Sequence, residues 1–113
     1  MHELGLMQNA LELAENHTRQ AGASRIHRLV LRIGALSGVV PQALESAFAA
    51  LAPNSIAADA ELQIETVGIV GWCERCAAEF PSGDFISVCP TCGEPTAVIR
   101  RGCELELAQL EIS

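Results

Sequence analysis

Apolar residues recur at helical spacing through residues 3–22. Leu6, Met7, Ala10, Leu11, Leu13, Ala14 and Ala21 make one broad stripe there, which predicts an amphipathic helix. Gly22 is placed to stop it, because glycine enters the left-handed conformation of a helix C-terminus without steric cost. Residues 25–33 change to a period of two, the pattern of a strand. Leu29, Leu31 and Ile33 take one face, and Arg28 and Arg32 take the other. Residues 34–38 carry two glycines and a serine and read as a loop. Pro41 suits the first position of a second helix, which Leu44, Ala47, Phe48 and Leu51 make amphipathic and which ends near Pro53. Residues 54–60 connect to a strand at 61–68, where Leu62 and Ile64 oppose Glu61, Gln63 and Glu65. A last strand runs over about 102–112. Its alternation slips between Leu105 and Leu107 on one register and Leu110 and Ile112 on the other, so a β-bulge near Ala108 and Gln109 is expected.

This order predicts an α+β fold, with two helices packed on a three-stranded β-sheet. A metal-stapled module is inserted before the last strand. The boundaries expected are an α/β domain of residues 1–70 plus 99–113 and an inserted module of 71–98. At 113 residues, half of them hydrophobic, the chain suffices for one core, although Phe48, Phe80, Phe85 and Trp72 are its only aromatics.

Charge narrows the functional classes. Fourteen acidic residues face seven arginines and no lysine, for a formal net charge of −7. That balance argues against nucleic acid as a partner, since such binding needs a basic surface to neutralise phosphates. No apolar run approaches membrane-spanning length, and the N-terminus lacks the basic-then-apolar layout of a secretion signal, so a cytoplasmic protein is expected. In that reducing compartment paired cysteines read as metal ligands rather than disulfides.

The cysteines are paired. Cys73-Glu74-Arg75-Cys76 is followed after twelve residues by Cys89-Pro90-Thr91-Cys92. Two Cys-x-x-Cys turns supply four thiolates, a closed tetrahedral set suited to structural Zn(II), with no position left for substrate. Two disulfides or a redox dithiol are the competing readings of the same four residues.

The N-terminus offers unlike donors. The α-amine of Met1, the backbone nitrogen of His2 and its imidazole can close fused five- and six-membered chelate rings. Such a nitrogen-rich, square-planar or tetragonal site fits Ni(II) or Cu(II). The arrangement requires that Met1 remain the first residue. Read by itself, His2 is as well described as a solvated terminal residue. Glu3 either adds a metal donor or favours the helix start through the macrodipole.

Taken together these residues resemble the HypA/HybF nickel metallochaperones, which assist maturation of [NiFe]-hydrogenases. The likeness spans essentially the whole chain. It is carried by Met1-His2-Glu3-Leu4, the segment from Ile33 to Phe48, both cysteine pairs, and the closing run from Gly102 to Ile112. It implies transferable Ni(II) at Met1, His2 and Glu3, and structural Zn(II) at Cys73, Cys76, Cys89 and Cys92. It further implies a nickel-handling GTPase partner, HypB, and the hydrogenase large-subunit precursor as client; some members also serve urease. No catalytic role is expected, since the chain has no nucleophile–base motif and no phosphate-binding glycine loop.

Three rivals remain from the residues alone: a zinc-ribbon protein–protein adaptor without transferable metal, a nucleic-acid-binding zinc ribbon, and a zinc hydrolase with an open coordination position. Cys103 departs from the family pattern and is expected as a buried or half-buried strand thiol. His27 shares the parity of Leu29 and is expected at the rim of the core, whereas His17 is expected as a surface or half-buried helix residue. Arg25, Arg28 and Arg32 form a charged solvent face or a docking patch for an acidic partner. Arg100 and Arg101 are expected to offset the negative zinc–thiolate centre.

Overall fold

A computed structural model describes residues 2–113; the expectation for Met1 falls outside the described residues. The elements follow in the order α1 (His2–Gln20), β1 (Ile26–Gly34), α2 (Pro41–Leu51), a 3-10 turn (Ala52–Asn54), β2 (Glu61–Val67), β3 (Val70–Cys73), β4 (Ala78–Pro81), β5 (Ser87–Val88), β6 (Pro95–Thr96), β7 (Ile99–Arg101) and β8 (Leu105–Ile112). This is a mixed α+β structure. Three sheets form, ordered β2-β1-β8, β4-β3-β7 and β5-β6. No described helix is long and apolar enough to cross a membrane.

Two compact units divide the chain. The first comprises Met1–Arg32, Val39–Glu65 and Glu106–Ser113, and the second comprises Ile33–Gly38 and Thr66–Leu105. In the first unit α1 buries Met7, Leu11, Ala14 and Thr18, spaced four, three and four residues apart. Leu13 and Ala21, expected on this stripe, lie outside it and are exposed. Thr18 takes a core position because its hydroxyl donates to the Ala14 carbonyl at 2.7 Å, leaving only its methyl to be packed. The helix ends as its glycine requires: Gly22 has φ 75°, and the Ala23 N–H reaches back to the Thr18 carbonyl.

β1 is the central strand, and burial follows from that position. Ile26, Leu29, Val30, Leu31 and Ile33 are all buried, so both of its faces carry apolar side chains. On one side, hydrogen bonds from Ile26 N–H to Ile56 and from Ala35 N–H to Val67 advance in the same chain direction, so β2 runs parallel to β1 across the α2 crossover. On the other, Arg25 pairs with Ser113 and Gly34 with Glu104, so β8 runs antiparallel. Arg28 and Arg32 meet acids from the flanking strands: Glu111 at 3.4 Å, Glu106 at 2.8 Å and Glu65 at 3.6 Å. Arg25 lies 3.7 Å from Asp59. Each of these three cations therefore has an acidic neighbour within the unit, although Arg28 and Arg32 are half-buried beside the buried Val30. His27 corrects its expectation. It is exposed, and its Nε2 lies 2.6 Å from the Ser113 hydroxyl, because the strand end it occupies is closed by the chain terminus rather than by core. Along β8, Leu107 and Ala108 are half-buried in succession before Leu110 and Ile112, so the inward side shifts at that point.

In the second unit β3 lies between β4 and β7, with Trp72 opposite Glu79 and Cys73 opposite Ala78. Its loop Ile33–Gly38 sits tightly against Gly102. A Cβ on Gly34 would come within 2.2 Å of the Gly102 carbonyl group, so only glycine permits this approach.

Candidate metal centres

The four cysteines come together from two turns. The β3–β4 hairpin closes through Cys73–Ala78 and carries Cys73 and Cys76. The second pair follows β5 and turns back into β6, with the Gly93 N–H bonded to the Cys89 carbonyl at 2.9 Å. Each turn needs a residue at positive φ directly after its second cysteine: Gly93 at 78° and, less usually, Ala77 at 50°. The sulfur of Cys73 lies 3.5 Å from that of Cys92, and the sulfur of Cys89 lies 3.9 Å from that of Cys76. All four fall within 4.8 Å of one another. A tetrahedron with zinc–sulfur bonds of about 2.3 Å has edges of about 3.8 Å, so the set fits Zn(II) with little movement. None of the cysteines forms a disulfide, which removes one competing reading.

Around the sulfurs the setting suits thiolates. The Cys76 N–H points at the Cys73 sulfur at 3.4 Å. Backbone N–H groups of Cys92 and then Thr91 bring the Cys89 thiol down to about 6. The Cys76 thiol is pushed up to about 12, first by its hydrogen bond with Cys92 and then by burial. Four anions this close cannot all persist without a cation between them, so a divalent metal would replace the shared protons. Phe80 is buried in one cluster with Cys73 and Cys89, and Cys76 and Cys92 pack against it. Its ring fits because residue 71 is glycine: a Cβ there would lie 2.9 Å from the ring. Sequence reading did not single out Phe80, although an aromatic between two cysteine pairs was the available signal.

The arginines expected near the thiolates are occupied elsewhere. Arg100 stacks over the Trp72 ring at 3.9 Å, and Arg101 pairs with Glu79 at 3.3 Å. Cys103 is exposed, two residues ahead of β8, and not a buried strand thiol. The strand starts later than expected because Gly102, at φ 119°, turns the chain before it.

The N-terminal donors occupy the first turn of α1. His2 is 60% exposed, whereas Glu3 is only 13% exposed, and His2 Nδ1 lies 3.9 Å from Glu3 Oε2. The same oxygen accepts the N–H of Val40 at 3.3 Å. Val40 is the N-cap of α2 and has no side-chain cap of its own, so Glu3 supplies the acceptor that this helix start lacks. Its carboxylate is held below the usual 4.5, first by its own backbone N–H and then by that of Val40. This link between residues 37 apart went unread in the sequence. Its signal was a helix opening Val-Pro, with valine rather than Ser, Thr, Asp or Asn at the N-cap position. His17 is exposed, and neither it nor His27 joins a metal-ligand cluster among the described residues.

Residues 1–112 match the profile of the family described as "Hydrogenase/urease nickel incorporation, metallochaperone, hypA". The chain is 39% identical over 112 residues, 99% of each chain, to the hydrogenase maturation factor HypA of Dechloromonas aromatica. It is equally similar, 39% over 112 residues and 99% of each, to that of Picosynechococcus sp.. Its structure resembles the solution structure of the Ni metallochaperone HypA from Helicobacter pylori with a TM-score of 0.70 at 28% identity, covering 97% of this chain and 96% of that one.

Proposed function

The chain belongs to the HypA family of hydrogenase/urease nickel-incorporation metallochaperones, and from that premise we propose that it carries Ni(II) on its N-terminus and Zn(II) in its cysteine cluster. The observation that carries this reading is the contrast between the two donor sets. The sulfurs of Cys73, Cys76, Cys89 and Cys92 close on one point and leave no free coordination position. His2 stands open to solvent at a helix start, where backbone N–H groups have no intrahelical acceptor. An amide so placed is free to lose its proton and join the Met1 amine and the imidazole around nickel. Glu3 adds a carboxylate beside them. Zinc therefore stays and holds structure, whereas nickel, bound by few exposed nitrogen donors, can leave.

In this reading residues 1–70 with 99–113 handle nickel and residues 71–98 hold zinc. The protein works in the cytoplasm and is not an enzyme. It receives energy input through the GTPase HypB and delivers nickel to the [NiFe]-hydrogenase large-subunit precursor or, in a host that has one, to urease. It neither binds nucleic acid nor inserts in a membrane.

Calorimetric titration of Ni(II) into untagged, zinc-loaded protein beside His2→Ala tests the nickel site. Binding in the wild type that disappears in His2→Ala is expected. Equal binding in both would move nickel to other ligands. No binding in either would leave a zinc-ribbon adaptor without transferable metal.

A further inference from the structure

Two helix starts lean on one carboxylate. Glu3 lies in the first turn of α1, where its charge offsets the positive end of that helix. Its Oε2 also accepts the Val40 N–H at 3.3 Å, at the start of α2. α2 brings little of its own to that start. Its N-cap is valine, no side chain caps it, and its first turn carries no acidic residue. A capping box would place Glu or Gln at the third helical position to accept the N-cap N–H. Ala43 stands there and has no acceptor to offer. Glu3 supplies the missing half of the box from 37 positions away.

The same oxygen lies 3.9 Å from His2 Nδ1, the imidazole nitrogen that closes the six-membered chelate ring. First-row divalent ions hold a nitrogen donor at about 2 Å, so neighbouring donors on one ion stand about 3 Å apart. To join Nδ1 on nickel, Glu3 Oε2 must therefore close in by about 1 Å. The Val40 hydrogen bond has no length to give, since 3.3 Å is already beyond the usual N–H···O range. The Glu3 side chain is only 13% exposed, so protein or metal rather than water must satisfy its oxygens.

The geometry points to a competition in which nickel and the start of α2 draw on the same Glu3 carboxylate. Loading nickel uncaps α2, and the Val40 N–H in turn makes nickel easier to release. Val40 is thereby a positioning residue of the nickel site that touches no metal. This rests on the nickel-delivery reading and deepens it. A carboxylate with a waiting partner favours the departure of its cargo, and a loosened α2 start distinguishes the loaded protein from the empty one.

The test is hydrogen exchange across residues 39–44, read by mass spectrometry on untagged, zinc-loaded protein without and with saturating Ni(II). Wild type is compared with Glu3→Gln and Val40→Pro. In the wild type nickel should speed exchange at the α2 start by about threefold or more, the scale of one lost cap. Glu3→Gln keeps an acceptor oxygen for Val40 but has no charge to offer nickel, so nickel should leave its exchange unchanged. Val40→Pro deletes the N–H and no metal donor, and φ −92° at this position lies near the range proline adopts. Its nickel affinity, measured by calorimetry, should rise by about the factor seen in exchange, because linkage is reciprocal. Helical circular dichroism and zinc content equal to wild type certify its fold. Wild-type exchange that nickel leaves unchanged or slows would overturn the inference, since the other carboxylate oxygen would then serve nickel while Oε2 kept Val40. Unchanged or lower nickel affinity in folded Val40→Pro would overturn it as well. Either result beside nickel binding that His2→Ala abolishes would leave the nickel site itself standing, whereas a wild type that binds no nickel would overturn both.

Discussion

At the N-terminal turn one carboxylate serves a helix other than its own. Glu3 accepts the Val40 N–H while lying 3.9 Å from the His2 imidazole, so a residue expected as a metal donor also caps α2. The two roles separate by substitution. Glu3→Gln keeps an acceptor oxygen and should preserve slow hydrogen exchange at Val40, whereas Glu3→Ala should speed exchange there. Equal exchange in all three proteins would sink the capping role. The same contact has a pH signature. The folded carboxylate titrates below its ordinary 4.5, so its contribution is complete above that value and is lost as pH falls through the folded pKa. Exchange protection at Val40 followed downward from pH 6 should decline only below about 4.5. Ala77 is a second residue with a local cost. At φ 50° it holds a conformation that disfavours a side chain by about 1 kcal/mol. Ala77→Gly should therefore raise the melting temperature of the zinc-loaded protein modestly, by a few tenths to about 1 kcal/mol in stability. A lower melting temperature would show that the turn is not strained there.

Among the elements, the cysteine turns differ from the helices in what holds them. α1 and α2 pack against one another, and α1 alone buries Met7, Leu11 and Ala14. The cluster at the cysteine turns buries Cys73, Phe80 and Cys89, with Cys76 and Cys92 against it, so sulfur makes up most of this core. Zn(II) held by these sulfurs would be the centre that joins β3–β4 to the turn after β5, and its removal would take that centre away. Chelation should red-shift Trp72 fluorescence and speed exchange in β3 and β4 while α1 keeps its helical signal, and zinc should restore both. Unaltered exchange after verified metal loss would make zinc dispensable to this unit. Acid should act in the same direction. Cys76, at about 12 without metal, must give up a proton to bind, so zinc affinity falls as pH falls and binding near neutral pH releases protons. Calorimetry in buffers of different ionisation enthalpy measures that release directly.

Over the whole molecule, charge is arranged to cancel locally. Arg25, Arg28 and Arg32 could have formed a basic patch, but each meets a carboxylate from another part of the chain. What remains is a net charge of −7, and zinc held by four thiolates would add two further negative charges. Titration with duplex DNA or RNA at low salt should detect no binding. A complex whose affinity falls steeply with salt would revive the nucleic-acid-binding ribbon.

Much of this protein was legible in its residues because the relevant signals are local. The spacing of Met7, Leu11 and Ala14, the alternation of Leu62 and Ile64, and the two Cys-x-x-Cys turns depend on neighbours within a few positions. Periodicity and turn chemistry therefore located the two helices, the strands β1, β2 and β8, and the four metal-ligand candidates, but not the short strands β3 to β7. Tertiary structure alone decided what depends on residues far apart. It set Glu3 on Val40, closed Gly34 against Gly102, covered the sulfurs with Phe80 and left Cys103 in solvent. It also buried Val30 on the face that carries Arg28 and Arg32, where alternation promised only polar surface, because a central strand is shielded by both neighbours. Such contacts join positions tens of residues apart, and no local pattern of apolar and polar residues encodes which of those positions will meet.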